Sequence, residues 1–141
     1  MRSIVVTAFA VVLVAFAPYA AAGAEYVALV EDGAAKCRVV VAGDAHPALK
    51  FGARELSKYI GVATGAKVEV NGVDGLLPVT VRLASDAERS VLKEDGFTID
   101  ATPRGVEVVG ANPRGALYGC YDILKKYAGM RWIVPGDDAE Y

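Results

Sequence analysis

Prolines and glycines punctuate residues 112–136, and no other stretch constrains the fold as tightly. It reads Asn-Pro-Arg-Gly-Ala-Leu-Tyr-Gly-Cys-Tyr-Asp-Ile-Leu-Lys-Lys-Tyr-Ala-Gly-Met-Arg-Trp-Ile-Val-Pro-Gly. Asn112 suits a helix N-cap, and Pro113 suits the first helical position, where a missing N–H is no loss. Gly129 closes the helix, and Lys125 and Lys126 complement the negative end of its dipole. Leu117, Cys120, Tyr121, Leu124 and Ala128 fall on the expected buried face, and Tyr118 falls outside it. A short apolar strand, 130–134, follows and holds Arg131 and Trp132.

The rest of the chain alternates valine-rich runs with turn formers. Residues 27–31 and 36–42 read as strands, each ended by an Asp/Gly pair. Asp44 or His46 caps a helix over 47–64 that begins with Pro47, and Gly65 ends it in the left-handed conformation. Leu49, Ala53, Leu56 and Ile60 share one face of that helix; Lys50, Arg54 and Lys58 line another and read as a solvated surface. A brief strand is expected at 67–70 and a plain turn at 71–75. Another strand spans 79–83, and a polar stretch with room for a helical turn follows it. Strict alternation over 96–101, the turn Thr102-Pro103-Arg104-Gly105 and the return over 106–109 give a β-hairpin. The order is ββ-α-β-β-ββ-α-β: an α+β fold, a mixed β-sheet with two helices packed on one face.

The N-terminus reads differently. Arg2 precedes an apolar run over 4–17, broken only by Thr7, with Pro18 and a cluster of small residues beyond it. That pattern predicts a cleaved signal peptide over 1–24. The alternative, a retained membrane anchor, needs a longer apolar run without proline. The mature protein is therefore expected to be exported, periplasmic or extracellular, with no membrane association after cleavage.

Composition excludes several functions. The formal net charge is −2, with basic and acidic residues interspersed, so no basic stripe for nucleic acid is present. One histidine and two cysteines leave no His/Cys metal cluster, and no cofactor is expected. Cys37 and Cys120 both fall on expected core positions and read as buried free thiols, although export permits a disulfide.

No catalytic set emerges. A nucleophile needs a base oriented by a third group, and His46 sits alone at a helix start. Glu94-Asp95 and Asp137-Asp138 are adjacent carboxylates whose side chains diverge, unlike a facing glycosidase pair. The loop 110–115 leaves a strand and enters a helix, but it lacks both phosphate-loop patterns, and Pro113 removes one N–H. Arg114 stands out: a cation in the first helical turn opposes the dipole, so its partner lies elsewhere, in the domain, in a neighbouring domain or in an anionic sugar. Gly115 and Gly119, four residues apart, suit close approach of a strand or a partner domain. Trp132 suits either core packing or stacking on a sugar ring.

These residues resemble a known family. The pattern Asp95-Gly96-Phe97-x-Ile99, Val108-Val109-Gly110, Arg114-Gly115-x-Leu117-Tyr118-Gly119-x-Tyr121-x-x-Leu124 and Gly129-x-Arg131-Trp132-x-x-Pro135-Gly136 is similar to the N-terminal, non-catalytic domain of α-glucuronidase-like and β-N-acetylhexosaminidase-like glycoside hydrolases. Ala53-Arg54-Glu55-Leu56-x-x-Tyr59-Ile60 with Thr64-Gly65 resembles the same domain's first helix. The resemblance implies an accessory domain over 25–136 and a linker beginning at 137–141. It also implies a partner, a catalytic (β/α)8 barrel of the same protein that this chain does not contain, and hence a fragment. Polysaccharide is the implied ligand of the whole enzyme. No catalytic residue is carried over. Arg114, Gly115, Tyr118, Arg131 and Trp132 become candidates for the domain interface or the substrate rim. A stand-alone secreted carbohydrate-binding or interaction module is the alternative.

Overall fold

The computed structural model describes residues 3–6 and 26–130. Its framework is a four-stranded mixed sheet of β4 (Cys37–Val41), β5 (Leu77–Leu83), β6 (Phe97–Thr102) and β7 (Gly105–Gly110), in the order β4-β5-β7-β6. β4, β5 and β7 run parallel, and β6 pairs antiparallel with β7 through the expected hairpin. Register aligns the valines: Val39, Val79, Val106 and Ala101 form one row, and Val41, Val81, Val108 and Ile99 the next. Side chains alternate across a pleated strand, so these two rows share one face.

Two long helices cover that face. α1 (Pro47–Thr64) buries Leu49, Ala53, Leu56 and Ile60, the four residues its periodicity selects. His46 caps it, with Nδ1 accepting the Ala48 N–H at 3.1 Å. Gly65 ends it at φ 74°, where a residue with a Cβ is strained. α3 (Pro113–Tyr127) packs against α1, β7 and β6. Leu29, Leu56, Ile60, Ile123 and Leu124 are fully buried, each contributing about 1.5–3 kcal/mol of transfer free energy. A short α2 (Asp86–Arg89) fills the polar stretch after β5, held by a capping box between Ser85 and Glu88.

A second, smaller sheet holds β1 (Ser3–Val6), β2 (Tyr26–Glu31) and β3 (Ala34–Ala35). β2 and β3 form a two-residue hairpin in which Asp32 and Gly33 both take positive φ, matching the twist of the flanking strands. β1 runs parallel to β2 and belongs to the stretch read as a signal peptide. Residues 7–25 lie outside the described residues.

Two expectations change. Residues 67–70 do not form a strand; only Val70 bridges, to Val39, through the Val39 N–H to Glu69 and the Asn71 N–H to Val39. The segment stops pairing because Asn71 turns back at φ 52°. Its side chain then takes over the edge of β4, accepting the Val41 N–H and donating to the Val41 carbonyl, both at 3.0 Å. The turn at 71–75 is therefore anchored, and Arg38 adds bonds to the Gly72 carbonyl (2.9 Å) and Asp74 (2.6 Å).

The buried face of α3 also differs. Gly115, Ala116, Gly119, Cys120, Ile123 and Leu124 are buried, while Leu117, Tyr121 and Ala128 are only half-buried. A 3.6-residue stripe chosen by apolar size passes over the glycines. Here they are the point: a Cβ at Gly119 would lie 2.6 Å from Val108 Cγ1, so the helix rests directly on β7. The expected strand at 130–134 falls beyond the described residues except for Met130, which is buried and returns its N–H to the Leu124 carbonyl after Gly129 at φ 71°.

Candidate functional site

The corner where α3 begins explains the arginine that opposes the dipole. Asp95 takes φ 57° just before β6 and aims its carboxylate at the helix start. One oxygen accepts the Asn112 side-chain N–H at 2.7 Å; the other lies 2.5 Å from the Arg114 guanidinium. Asn112 in turn accepts the Gly115 N–H at 2.8 Å as the N-cap. The Arg114 and Asn112 bonds hold the Asp95 carboxyl below its usual range, and Asp95 raises the Arg114 guanidinium. The partner of Arg114 is thus a carboxylate of the same domain.

Gly115 belongs to the same corner. It is buried, and a Cβ there would come 2.5 Å from the Gly96 carbonyl oxygen. The neighbouring backbone is locked by the Ala111 N–H, which donates to the same Gly96 carbonyl at 2.8 Å. The structure therefore brings Arg114 and Gly115 together as a joint between the β6 entrance and α3. The signal for it was Asp95-Gly96, a turn pair placed before an alternating strand.

Tyr118 has a different setting. It lies on α3 opposite the buried arc and is 48% exposed. On α1 the corresponding outward position is Phe51, 42% exposed, with the Arg54 guanidinium 5.9 Å from its ring centre. Val62 on α1 is also exposed. The two helices run parallel: Gly52 lies against Leu117 and Cys120, and one turn on the Tyr121 hydroxyl donates to Glu55 at 3.2 Å. Burial raises the Tyr121 hydroxyl to about 12, with the negative charge of Glu55 adding to it. Arg131 and Trp132, the remaining sequence candidates, lie outside the described residues.

The uncovered face of the sheet is polar. Thr80, Glu107 and Asp100 form one row across β5, β7 and β6. Arg82 reaches from β5 to Glu88 with two bonds of 2.8 and 2.7 Å and to Glu107 at 3.1 Å. The Arg82 bonds hold the Glu88 carboxyl well below the usual carboxylate range. This face opens into a depression of about 220 Å³ lined by Thr80, Asp100, Thr102, Arg104 and Glu107.

Among the described residues, the histidine and the two cysteines are occupied or buried. His46 is exposed and occupied as a cap. Cys37 and Cys120 are free and buried, and burial raises their thiols to about 11 and about 12, far from thiolate reactivity. Among the described residues no three His, Cys, Asp or Glu side chains are grouped to hold a metal ion. Among them, too, no helix is long and apolar enough to cross a membrane.

Comparison with known proteins places this fold. No curated protein matches the chain. Among solved structures it is similar to a glycoside hydrolase family 138 enzyme targeting pectin rhamnogalacturonan II, at a TM-score of 0.51 and 22% identity. The likeness covers 64% of this chain and 13% of that enzyme, so it bears on the fold and on a small part of a larger protein. Residues 30–126, more than half of the chain, match the model of glycosyl hydrolase family 20, domain 2, and the chain belongs to that family of domains.

Proposed function

We propose that this chain serves as the non-catalytic N-terminal accessory domain of an exported, α-glucuronidase-like glycoside hydrolase. The enzyme would degrade plant or other complex polysaccharide, with a catalytic (β/α)8 barrel elsewhere in the same protein carrying the reacting carboxylates. The observation that carries this reading is the contrast between the two sides of the domain. The sheet side is polar and tied up in its own ion pairs, whereas the two long helices leave Phe51, Val62 and Tyr118 exposed; the other exposed large apolar side chains among the described residues, Val73 and Val91, lie in loops. Exposed aromatic rings are what a buried interface core recruits. The helix side is accordingly the docking surface for the barrel.

Two further points support the reading. Among the described residues, the two carboxylates that meet on the sheet side, Glu88 and Glu107, are both bound by Arg82. Its glycines at 110, 115 and 119 and its Asp95–Arg114 joint are all used internally, to hold the helices on the sheet. Export would remove β1 together with residues 1–24 and leave β2 paired to β3 alone in the small sheet.

The test is a pair of assays. This chain is incubated with aryl glycosides and uronate-bearing oligosaccharides, alongside the protein encoded by the complete reading frame. The reading predicts turnover only by the longer protein, and turnover by the chain alone would contradict it.

A further inference from the structure

α1 presents Lys50 and Arg54 one turn apart, and the structure gives them a shared setting. Both line an open pocket of about 360 Å³ between α1, the end of β4 and the turn after residue 70, where Val41, Gly43, Val70 and Asn71 complete the wall. The chain carries 17 acidic residues against 15 basic ones, yet no carboxylate lines this pocket. Among the described residues, neither Lys50 nor Arg54 forms an ion pair, although seven other basic residues do. The first turn of α1 has no acidic residue either, so the positive end of its dipole adds to the same field.

The wall is also preorganised. Both polar ends of the Asn71 side chain are held by the Val41 backbone, and Arg38 ties the following turn to β4. Arg54 is steadied over the Phe51 ring. A fixed concave wall with two free cations is suited to a small anion-bearing ligand, and the volume lies at the lower end of the range for small-molecule sites. A guanidinium fork matches a carboxylate in two parallel bonds, an ammonium adds charge, and the half-buried Val70 offers apolar surface to a ring.

We propose that this pocket binds a carboxylate-bearing sugar unit of an acidic polysaccharide, with Arg54 and Lys50 holding the carboxylate. The proposal rests on the reading of the chain as part of a polysaccharide-degrading enzyme and names an ancillary binding site within it.

The experiment is a titration of the ¹⁵N-labelled full chain followed through the Gly43 and Asn71 amides. The probes are D-galacturonate, the neutral sugar D-galactose, and acetate. Saturable shifts with galacturonate are expected, with galactose and acetate at least about tenfold weaker. Lys50→Ala with Arg54→Ala should weaken galacturonate by about tenfold or more. Gly43→Leu should abolish binding by filling the pocket; a Cβ at Gly43 meets nothing within 4 Å, so the variant is compatible with the fold. Equal response to acetate would reduce the pocket to a simple anion site, and equal response to galactose would remove the carboxylate's role; either overturns the proposal. So does the absence of any shift, or shifts at Gly43 and Asn71 that appear only when the catalytic domain is attached, which would make the pocket a protein contact. None of these outcomes bears on whether the longer protein hydrolyses polysaccharide, so the pocket and the accessory-domain reading fail separately.

Discussion

The Arg114 guanidinium lies 2.5 Å from the Asp95 carboxylate, across the corner where β6 and α3 begin. One carboxylate thereby secures both the N-cap Asn112 and the only basic residue in the first turn of α3. The unfavourable placement of Arg114 against the dipole is offset by this contact, made with a residue that precedes it by a full hairpin.

Asp95→Asn should therefore lower stability in a pH-dependent way. The folded carboxyl sits below its ordinary value near 3.8, so its contribution is fully present above that value. It is lost as pH falls through the lower, folded value. Thermal melts should show the wild-type chain more stable than Asp95→Asn at neutral pH, with the gap narrowing as pH falls below the ordinary carboxylate range. A gap that stays constant with pH would mean that the charge of Asp95 contributes nothing.

The glycines separate by what faces them. Gly115→Ala sets a methyl against the Gly96 carbonyl, which is backbone and cannot step aside. It should destabilise by about 1–3 kcal/mol in urea titration despite alanine's better helix propensity. Gly52→Ala meets the Cys120 Sγ at 2.9 Å and the Leu117 side chain, both of which can shift, so its cost should be smaller.

Core truncation tests the helix faces. Leu56→Ala and Leu124→Ala should each cost about 2–5 kcal/mol, and Ile123→Val about 0.5–1.5 kcal/mol. All three are fully buried. A negligible cost at Ile123 would restore the narrower face on which size alone places Leu117 and Tyr121.

The thiols should be silent in the folded protein. Cys37 and Cys120 are buried and their thiols are raised to about 11 and about 12, so an aromatic disulfide reagent at neutral pH should label neither until denaturant is added.

Much of this fold was legible because it is written locally. Pro47 and Pro113 open the two long helices, Gly65 and Gly129 close them, and alternation sets the 96–109 hairpin; each signal acts within a few residues of its own backbone. What escaped depends on distant partners. Residues 67–70 have strand-like composition, but their pairing is decided by how Asn71 caps the edge of β4. The α3 face depends on how near β7 the glycines bring the helix, and periodicity scores glycine as neutral. Of the site candidates, Tyr118 could be placed by its helical phase alone. The role of Arg114 required knowing where Asp95 points, and Asn112 and Gly115 then close the same network.

The central claim is that the helix side docks on a catalytic domain, and hydroxyl-radical footprinting reads it directly. Phe51 and Tyr118 should be oxidised in this chain alone and protected in the protein encoded by the complete reading frame, while the sheet side shows no change between the two. Equal oxidation of Phe51 and Tyr118 in both proteins would contradict the account.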